Sequence, residues 1–296
     1  MAAYEGPARV LVGYDGSRDA DAALAHAVAE VRRRGAELAI VCAVDDIVLN
    51  SAWGVVFDPQ EIKRDAARML DGVTAELVAQ GIPAASIRAE VVLGAPAPTL
   101  VRLSEWASLV VVGRCSGSSA RAFVGSTAVG VAGAAHCPVV VLSADDQPPA
   151  QPHGRIGVGV NTAVHSERPS LVWAFGEAQR LGAGLSVISV SKAAQNRWFG
   201  SADADDQHSG AVAAVRERVG SLVEPARRGF EDVQVDIEVS YGSPLDALVA
   251  ASESLDLLVV EVQPTLRTFA VSAVDRGVMM YARCPVALFR ANVGHV

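Results

Sequence analysis

The chain has 296 residues, of which 51% are hydrophobic and 20% are charged, and its formal net charge is −8. This composition excludes an intrinsically disordered chain and suits two globular domains. The acidic charge argues against a nucleic-acid-binding protein, because a phosphate backbone requires a basic surface, although backbone amides can still hold a single nucleotide.

Short apolar runs alternate with longer amphipathic segments along the first half, which is typical of βαβ units in a parallel sheet. Apolar residues recur on one face of 18–34 and of 60–80, which predicts two helices. Several of the apolar runs are continuous, as expected for strands that are covered on both faces. The predicted strands are 8–14, 37–44, 87–93, 108–113 and 138–143.

The uncharged segment 122–142 raises the question of a membrane-spanning helix. Its glycines weaken a lone helix, and Pro138 would break one near its end. We therefore interpret the segment as a buried helix that runs into a buried strand, and we expect no membrane association.

The second half repeats the first. PARVLVGYDGS (7–17) resembles HGRIGVGVNTA (153–163), and AHCPVVVL (135–142) resembles ARCPVALF (282–289). The repeated strands are predicted at 155–160, 184–190, 234–240, 256–262 and 285–290. A nearly constant spacing between copies indicates duplication of a whole domain. The predicted organisation is a domain at 1–145, a proline-rich linker at 146–154 and a second domain at 155–296.

Two parts of the first copy could bind a ligand. Asp15 follows the first strand, at the sheet edge where open α/β folds bind ligands, and its carboxylate could accept from an adenine amino group or a ribose hydroxyl. Gly113 ends the fourth strand, and the hydroxyl-rich Gly125-Ser126-Thr127 then begins a helix whose amides favour phosphate. The alternatives are a helix cap for Asp15 and ordinary turns for the glycines.

These motifs together resemble the universal stress protein family. The matching motifs are a strand followed by Asp15-Gly16-Ser17, VVVG at 110–113 with its glycine-rich loop, and CPVVV at 137–141. The resemblance covers both halves and implies an α/β fold with two similar doubly wound domains. Each domain would have a five-stranded parallel sheet of order 3-2-1-4-5.

The family's ATP-binding motif, G-x₂-G-x₉-G-[ST], is matched in part. Gly113 takes the first glycine position, and Gly125 with Ser126 takes the closing pair. Ser116 stands where the second glycine belongs, in a loop that is one residue short, and Gly117 is the candidate to replace it. The resemblance implies adenine contact by Asp15 and by the backbone near Ala43. The complete implied ATP site is Gly13, Asp15, Ala43, Gly113, Ser116, Gly117, Gly125, Ser126 and Thr127.

The second copy departs from this pattern. Asp15 becomes Asn161, Gly113 becomes Glu261, and Gly125-Ser126 becomes Ser272-Ala273. A carboxylate at 261, about 5 Å from a phosphate, would repel it by on the order of 3 kcal/mol per unit charge. The second copy is therefore predicted to bind ATP poorly or not at all, unless it uses another arrangement.

Three functions follow as hypotheses. The first is a stress-response regulatory protein that binds ATP, with Mg²⁺ as a possible companion, in its N-terminal domain as a switch or sensor. The second is slow ATP hydrolysis or adenylyl transfer, in which Asp45 and Asp46 could help to hold Mg²⁺. The third is a scaffold that binds no nucleotide and pairs with partners, including a second copy of itself, through its last strands.

The remaining features exclude other classes. Cysteines at 42, 115, 137 and 284 form no C-x-x-C pair, so we expect free thiols and a cytoplasmic protein. Cys115 lies in the phosphate loop, where a helix N-terminus could lower its pKa and make it reactive. The histidines show no metal-binding spacing, and no G-x-S-x-G motif indicates a hydrolase.

Overall fold

The computed structural model describes residues 8–45, 59–115, 124–146, 152–162, 169–191, 204–262 and 271–290. The chain divides into two compact units, and the N-terminal unit passes into the second between Asp145 and Asp146.

The N-terminal unit alternates strands and helices around one parallel sheet. Its strands have the order β3-β2-β1-β4-β5, which confirms the predicted 3-2-1-4-5 arrangement. Because the strand order reverses between β1 and β4, a crevice opens at their carboxyl ends. The elements are β1 (Arg9–Gly13), α1 (Arg18–Arg34), β2 (Glu37–Val44), α2 (Pro59–Ala79), β3 (Ile87–Leu93), α3 (Pro96–Leu103), β4 (Leu109–Gly113), α4 (Ser126–Ala134) and β5 (Val139–Leu142).

The second unit repeats this design with strand order β8-β7-β6-β9-β10, again all parallel. Its elements are β6 (Arg155–Gly159), α5 (Pro169–Leu181), β7 (Gly184–Ser191), α6 (Ala204–Arg227), β8 (Val235–Tyr241), α7 (Pro244–Ala251), β9 (Leu257–Val262), α8 (Ala273–Tyr281) and β10 (Val286–Arg290). The predicted fold class, two similar doubly wound α/β domains, is confirmed.

Helix α1 has boundaries that local chemistry explains. Ser17 is its N-cap, and the Ser17 hydroxyl accepts from Ala20 N at 3.2 Å. Gly35 ends the helix in the left-handed conformation at φ 62°, which a residue with a side chain adopts only with strain. Asp19 and Asp21 in the first turn complement the helix dipole. The helix therefore begins immediately after the Asp15 turn and fixes its position.

The apolar segment 122–142 contributes α4 and β5, two short elements with buried residues. In the ranges that the structure describes, no helix has both the length and the apolar character needed to cross a bilayer. Residues 147–151 of the predicted linker lie outside those ranges.

Candidate functional site

A cleft with a cavity volume of about 140 Å³, partly open to solvent, lies at the crevice between β1 and β4. Seven of the nine predicted site residues line it: Gly13, Asp15, Ala43, Gly113, Gly125, Ser126 and Thr127. Ser116 and Gly117 lie outside the described residues.

Asp15 is exposed at the mouth of the cleft and closes a small turn. Its Oδ1 accepts from Ser17 N at 3.0 Å, so the carboxylate is held at one oxygen. The helix cap that sequence reasoning offered as an alternative for Asp15 is provided by Ser17 instead. No other described residue donates to the second carboxylate oxygen, and Asp15 lines the cleft, where a polar ligand could bind.

The backbone of β2 offers a donor and an acceptor to the same cleft. Val41 O accepts from Tyr14 N, and Val44 O accepts from Gly94 N on the opposite side of the strand. Because backbone groups alternate in direction along a strand, Ala43 has its N–H and C=O on the β1 side. β1 ends at Gly13, so these groups lie beyond its last residue, where a planar base could pair with them.

Tyr14 forms part of the cleft wall, and sequence reasoning did not identify it. Its hydroxyl donates to Asp21 Oδ1 at 2.7 Å. Burial, and then the Asp21 hydrogen bond, raises the pKa of the Tyr14 hydroxyl well above its ordinary value. The phenol therefore stays protonated, and its hydrogen bond ties the end of β1 to the first turn of α1.

The glycines at the strand ends are required mainly by packing. A Cβ at Gly113 would lie 2.8 Å from the backbone carbon of Asp19, and a Cβ at Gly13 would lie 2.8 Å from Leu100 Cδ1. The Cβ side of Gly113 is therefore occupied by α1, and the expected approach of a phosphate to the Gly113 backbone stays a prediction. These close contacts bring α1 and α3 against the sheet and shape the cleft from both sides.

The N-terminus of α4 presents unbonded amides to the cleft. Gly125 is the N-cap and, having no side chain, cannot satisfy the amides of the first turn, which consists of Ser126, Thr127 and Ala128. Gly125 N donates to Arg114 O at 2.8 Å, which fixes the helix end against the residue after β4. Arg114 also lines the cleft and is only 7% exposed. The helix dipole, the hydroxyls and this cation all favour an anion.

The matching helix end in the second unit is filled by its own residues. Ser272 is the N-cap of α8, and its hydroxyl accepts from Asp275 N at 3.1 Å and donates to Asp275 Oδ2 at 2.8 Å. Asp275 is 5% exposed and stands where the first copy has Ala128. Burial, partly offset by the Ser272 bonds, raises the pKa of Asp275. Sequence reasoning missed this residue, although Ser272-x-x-Asp275 is a recognisable capping pattern.

Glu261 has a different role from the one expected. Its Oε2 accepts from Ser170 Oγ of α5 at 2.9 Å, so the carboxylate bonds to the helix that follows β6. In the first unit the backbone of Asp19 lies at the corresponding place beside Gly113. We expected the Glu261 carboxylate to point at a phosphate, but in the structure it connects β9 to α5. Asp275 is the acid at the helix end.

The other candidate residues from the sequence concern thiol reactivity and metal binding. Burial, and then the charge of Asp19, raises the pKa of the Cys115 thiol, which opposes the reactivity considered from the sequence. Asp45 ends a described range, whereas Asp46 and Arg121 lie outside the description. Within the described residues, no group of three or more histidine, cysteine or acidic side chains could hold a metal ion.

Comparison with known proteins agrees with the tandem design. The model of the universal stress protein family matches residues 7–143 and again residues 153–290. Universal stress protein Rv2005c of Mycobacterium tuberculosis is 28% identical over 297 residues, covering 96% of this chain and 97% of the relative. Universal stress protein Rv3134c of the same organism is 30% identical over 258 residues, or 86% and 89% of the two chains.

A solved structure shows the same fold over nearly the whole length. The crystal structure of a universal stress protein from Archaeoglobus fulgidus aligns with a TM-score of 0.65 and 18% identity, covering 96% of this chain and 98% of the other. Both copies of the repeat are included in these matches. The chain therefore belongs to the universal stress protein family, with two of the family's domains in tandem.

Proposed function

We propose that the protein is a stress-response regulator that binds one ATP in the N-terminal cleft, and that occupancy acts as a switch or sensor. A ligand can act in this way only as far as it binds one state of the protein better than another. The four free cysteines, of which Cys42 and Cys284 are buried, support a cytoplasmic location.

The adenosine end of the nucleotide fits the β1–β2 side of the cleft. The free oxygen of Asp15 is an acceptor for an amino group or a ribose hydroxyl. The N–H and C=O of Ala43 provide the donor and acceptor pair that an adenine edge requires. The aliphatic side chains of Val41 and Leu100 line the same cleft and give the base an apolar surface.

The phosphates fit the β4–α4 side. The amides of Ser126, Thr127 and Ala128 have no side-chain cap, and two of these residues add hydroxyl donors. Arg114 lines the same cleft and would add positive charge. Ser116 and Gly117 are the remaining proposed phosphate contacts. Mg²⁺ would enter with the phosphates, because the described residues include no acidic cluster that would hold it alone.

The contrast between α4 and α8 is the observation that carries the proposal. Two copies of one fold present the same helix end, yet α8 has its own carboxylate, Asp275, at that end, whereas α4 has Gly125 as its cap and Ala128 in the third position. An uncapped helix end costs stability, since its amides lose their partners. An external anion would supply the missing partner in the N-terminal domain.

The test is the nucleotide content of freshly purified protein, released by denaturation and separated by ion-exchange chromatography. We expect ATP from the wild type and none from the double substitution Gly125→Ser with Ala128→Asp, which recreates the α8 cap in α4. Asp15→Ala should lose nucleotide, whereas its counterpart Asn161→Ala should retain it. Protein that binds no ATP, even when ATP is added at millimolar concentration, would refute the proposed function and favour the scaffold hypothesis.

The enzyme hypothesis has its own readout in the same preparations. ADP formation that persists through repeated purification and disappears in the Gly125→Ser/Ala128→Asp variant would assign hydrolysis to this cleft. Homodimer formation through the last strands stays a prediction, and sedimentation velocity with and without ATP measures it.

A further inference from the structure

Asp19 is the acceptor for three donors from two separate parts of the chain. Its Oδ1 accepts from Ala144 N at 2.8 Å and from Ser143 Oγ at 3.0 Å. Its Oδ2 accepts from Cys115 N at 3.0 Å. A carboxylate that accepts three hydrogen bonds is strongly oriented by them, because bonds to a charged acceptor are stronger than neutral ones.

One of these donors lies in the proposed ATP site, and the other two lie after the last strand of the domain. Cys115 lines the cleft, and Arg114, the residue before it, accepts the Gly125 N–H that fixes the start of α4. Ser143 and Ala144 follow β5 and stand just before the residue pair at which the N-terminal unit ends. Asp19 therefore connects the phosphate side of the cleft to the segment that leads out of the domain.

The close packing of α1 makes this connection possible. Gly113 has no side chain, and the space that its Cβ would fill holds the backbone and Cβ of Asp19. A larger residue there would move α1 away from the ends of β4 and β5. The second unit is built differently, since Glu261 replaces the glycine and its carboxylate bonds to Ser170 of α5.

We propose that Asp19 is a positioning residue, which holds the Cys115 backbone in place for phosphate binding and transmits nucleotide occupancy to residues 143–144. It does not line the cleft itself. The proposal rests on the function proposed above, and it names the route by which ATP in the cleft changes the start of the interdomain connection.

The first arm of the test measures affinity. In Asp19→Asn an NH₂ group replaces one of the two carboxylate oxygens. This group cannot accept a hydrogen bond, so the side chain loses its bond either to Cys115 N or to Ala144 N. We expect ATP affinity, measured by isothermal titration calorimetry, to fall about tenfold, the cost of one poorly matched charged hydrogen bond. Glu261→Gln is the matched control, because it removes the charge of the carboxylate that accepts from Ser170 in the second unit, and the ATP affinity of this variant should stay within twofold of the wild type.

The second arm measures coupling, which a purely structural role would not change. In the wild type, we expect saturating ATP to slow amide hydrogen exchange at Cys115 and at Ala144 by about tenfold. In Asp19→Asn at saturating ATP, exchange should still slow at Ser126, while the effect on Ala144 is lost. An unchanged affinity together with a preserved ATP effect on Ala144 would overturn the proposal.

Two results separate this inference from the proposed function. A wild type that binds no ATP refutes the proposed function and this inference with it. If the wild type binds ATP, and Asp19→Asn binds it equally well and keeps the ATP effect on Ala144, only the inference is refuted. If Asp19→Asn does not fold, Ser143→Ala removes one bond to Asp19, together with the bond that Ser143 Oγ accepts from Asp145 N at 3.3 Å. That variant should weaken ATP binding two- to threefold and reduce the ATP effect on Ala144, and wild-type values for both measurements would count against the proposal.

Discussion

Three aspartates show how strongly the surroundings determine what one residue type does. Asp15 is exposed and has one oxygen left for a ligand, whereas Asp19 accepts three hydrogen bonds from its own domain. Asp275 is buried at a helix end, where it bonds to the cap residue Ser272. Only Asp15 is therefore available to recognise a molecule from solution, and the other two organise the chain.

The histidine of α1 gives a pH prediction. His26 Nε2 lies 3.8 Å from Glu30 Oε1, and the pKa of His26 is lowered to about 4, mainly by burial, which the charge of Glu30 partly offsets and the charges of Arg33 and Arg34 reinforce. The unfolded chain takes up a proton near pH 6.5, but the folded state does not until about pH 4. The free energy of unfolding should therefore fall as the pH falls between these values, by at most about 3 kcal/mol.

Urea unfolding at pH 7, 6 and 5 measures this effect. His26→Gln removes the titrating group, so its unfolding free energy should change less over that range than that of the wild type. His136→Gln, at an exposed position, is the control and should keep the wild-type dependence. Equal pH dependence in the wild type and in His26→Gln would contradict the assignment.

Helix α2 provides a prediction at the scale of one element. Gly72 lies in its interior, and a Cβ added there would meet no atom within 4 Å. Gly72→Ala should raise the free energy of unfolding by about 0.5–1 kcal/mol, because alanine loses less backbone entropy in a helix. Gly130→Ala in α4 is the matched comparison, since its Cβ would lie 2.8 Å from Ala97 Cβ and should destabilise the domain. Urea denaturation of both variants shows whether the free energy of unfolding rises or falls. A lower free energy of unfolding for Gly72→Ala would contradict the helix geometry.

The elements themselves could be predicted well from the sequence. The helix at 18–34 and the strand at 87–93 have the predicted bounds, because hydrophobic periodicity and end signals are local properties. The contacts of Asp19 could not be predicted, since its partners are about a hundred residues away along the chain. Asp275 could have been found from its capping pattern. The direction of the Glu261 side chain required the position of α5, which no local pattern provides.

The whole molecule should bind one nucleotide. In calorimetric titration we expect a stoichiometry near one ATP per chain, because α8 is capped by its own residues while α4 is not. At a free ATP concentration of a hundred times its dissociation constant, binding should stabilise the folded N-terminal domain by about 2.7 kcal/mol. The Asp275→Ala/Ser272→Gly variant removes the cap of α8, and it therefore tests whether this cap limits the stoichiometry to one ATP. Two nucleotides bound to the wild type would show that the α8 cap does not exclude a second one.

The contact between Ser272 and Asp275 also has a consequence for how the chain could respond to changing conditions. An anion supplied by the polypeptide is tethered within one helical turn, so dilution cannot remove it and competing metabolites cannot displace it easily. On the proposed function, the stability of the C-terminal half would not depend on the cellular ATP concentration, whereas that of the N-terminal half would. One polypeptide would thus contain two copies of the same domain, one whose stability depends on ATP and one whose stability does not.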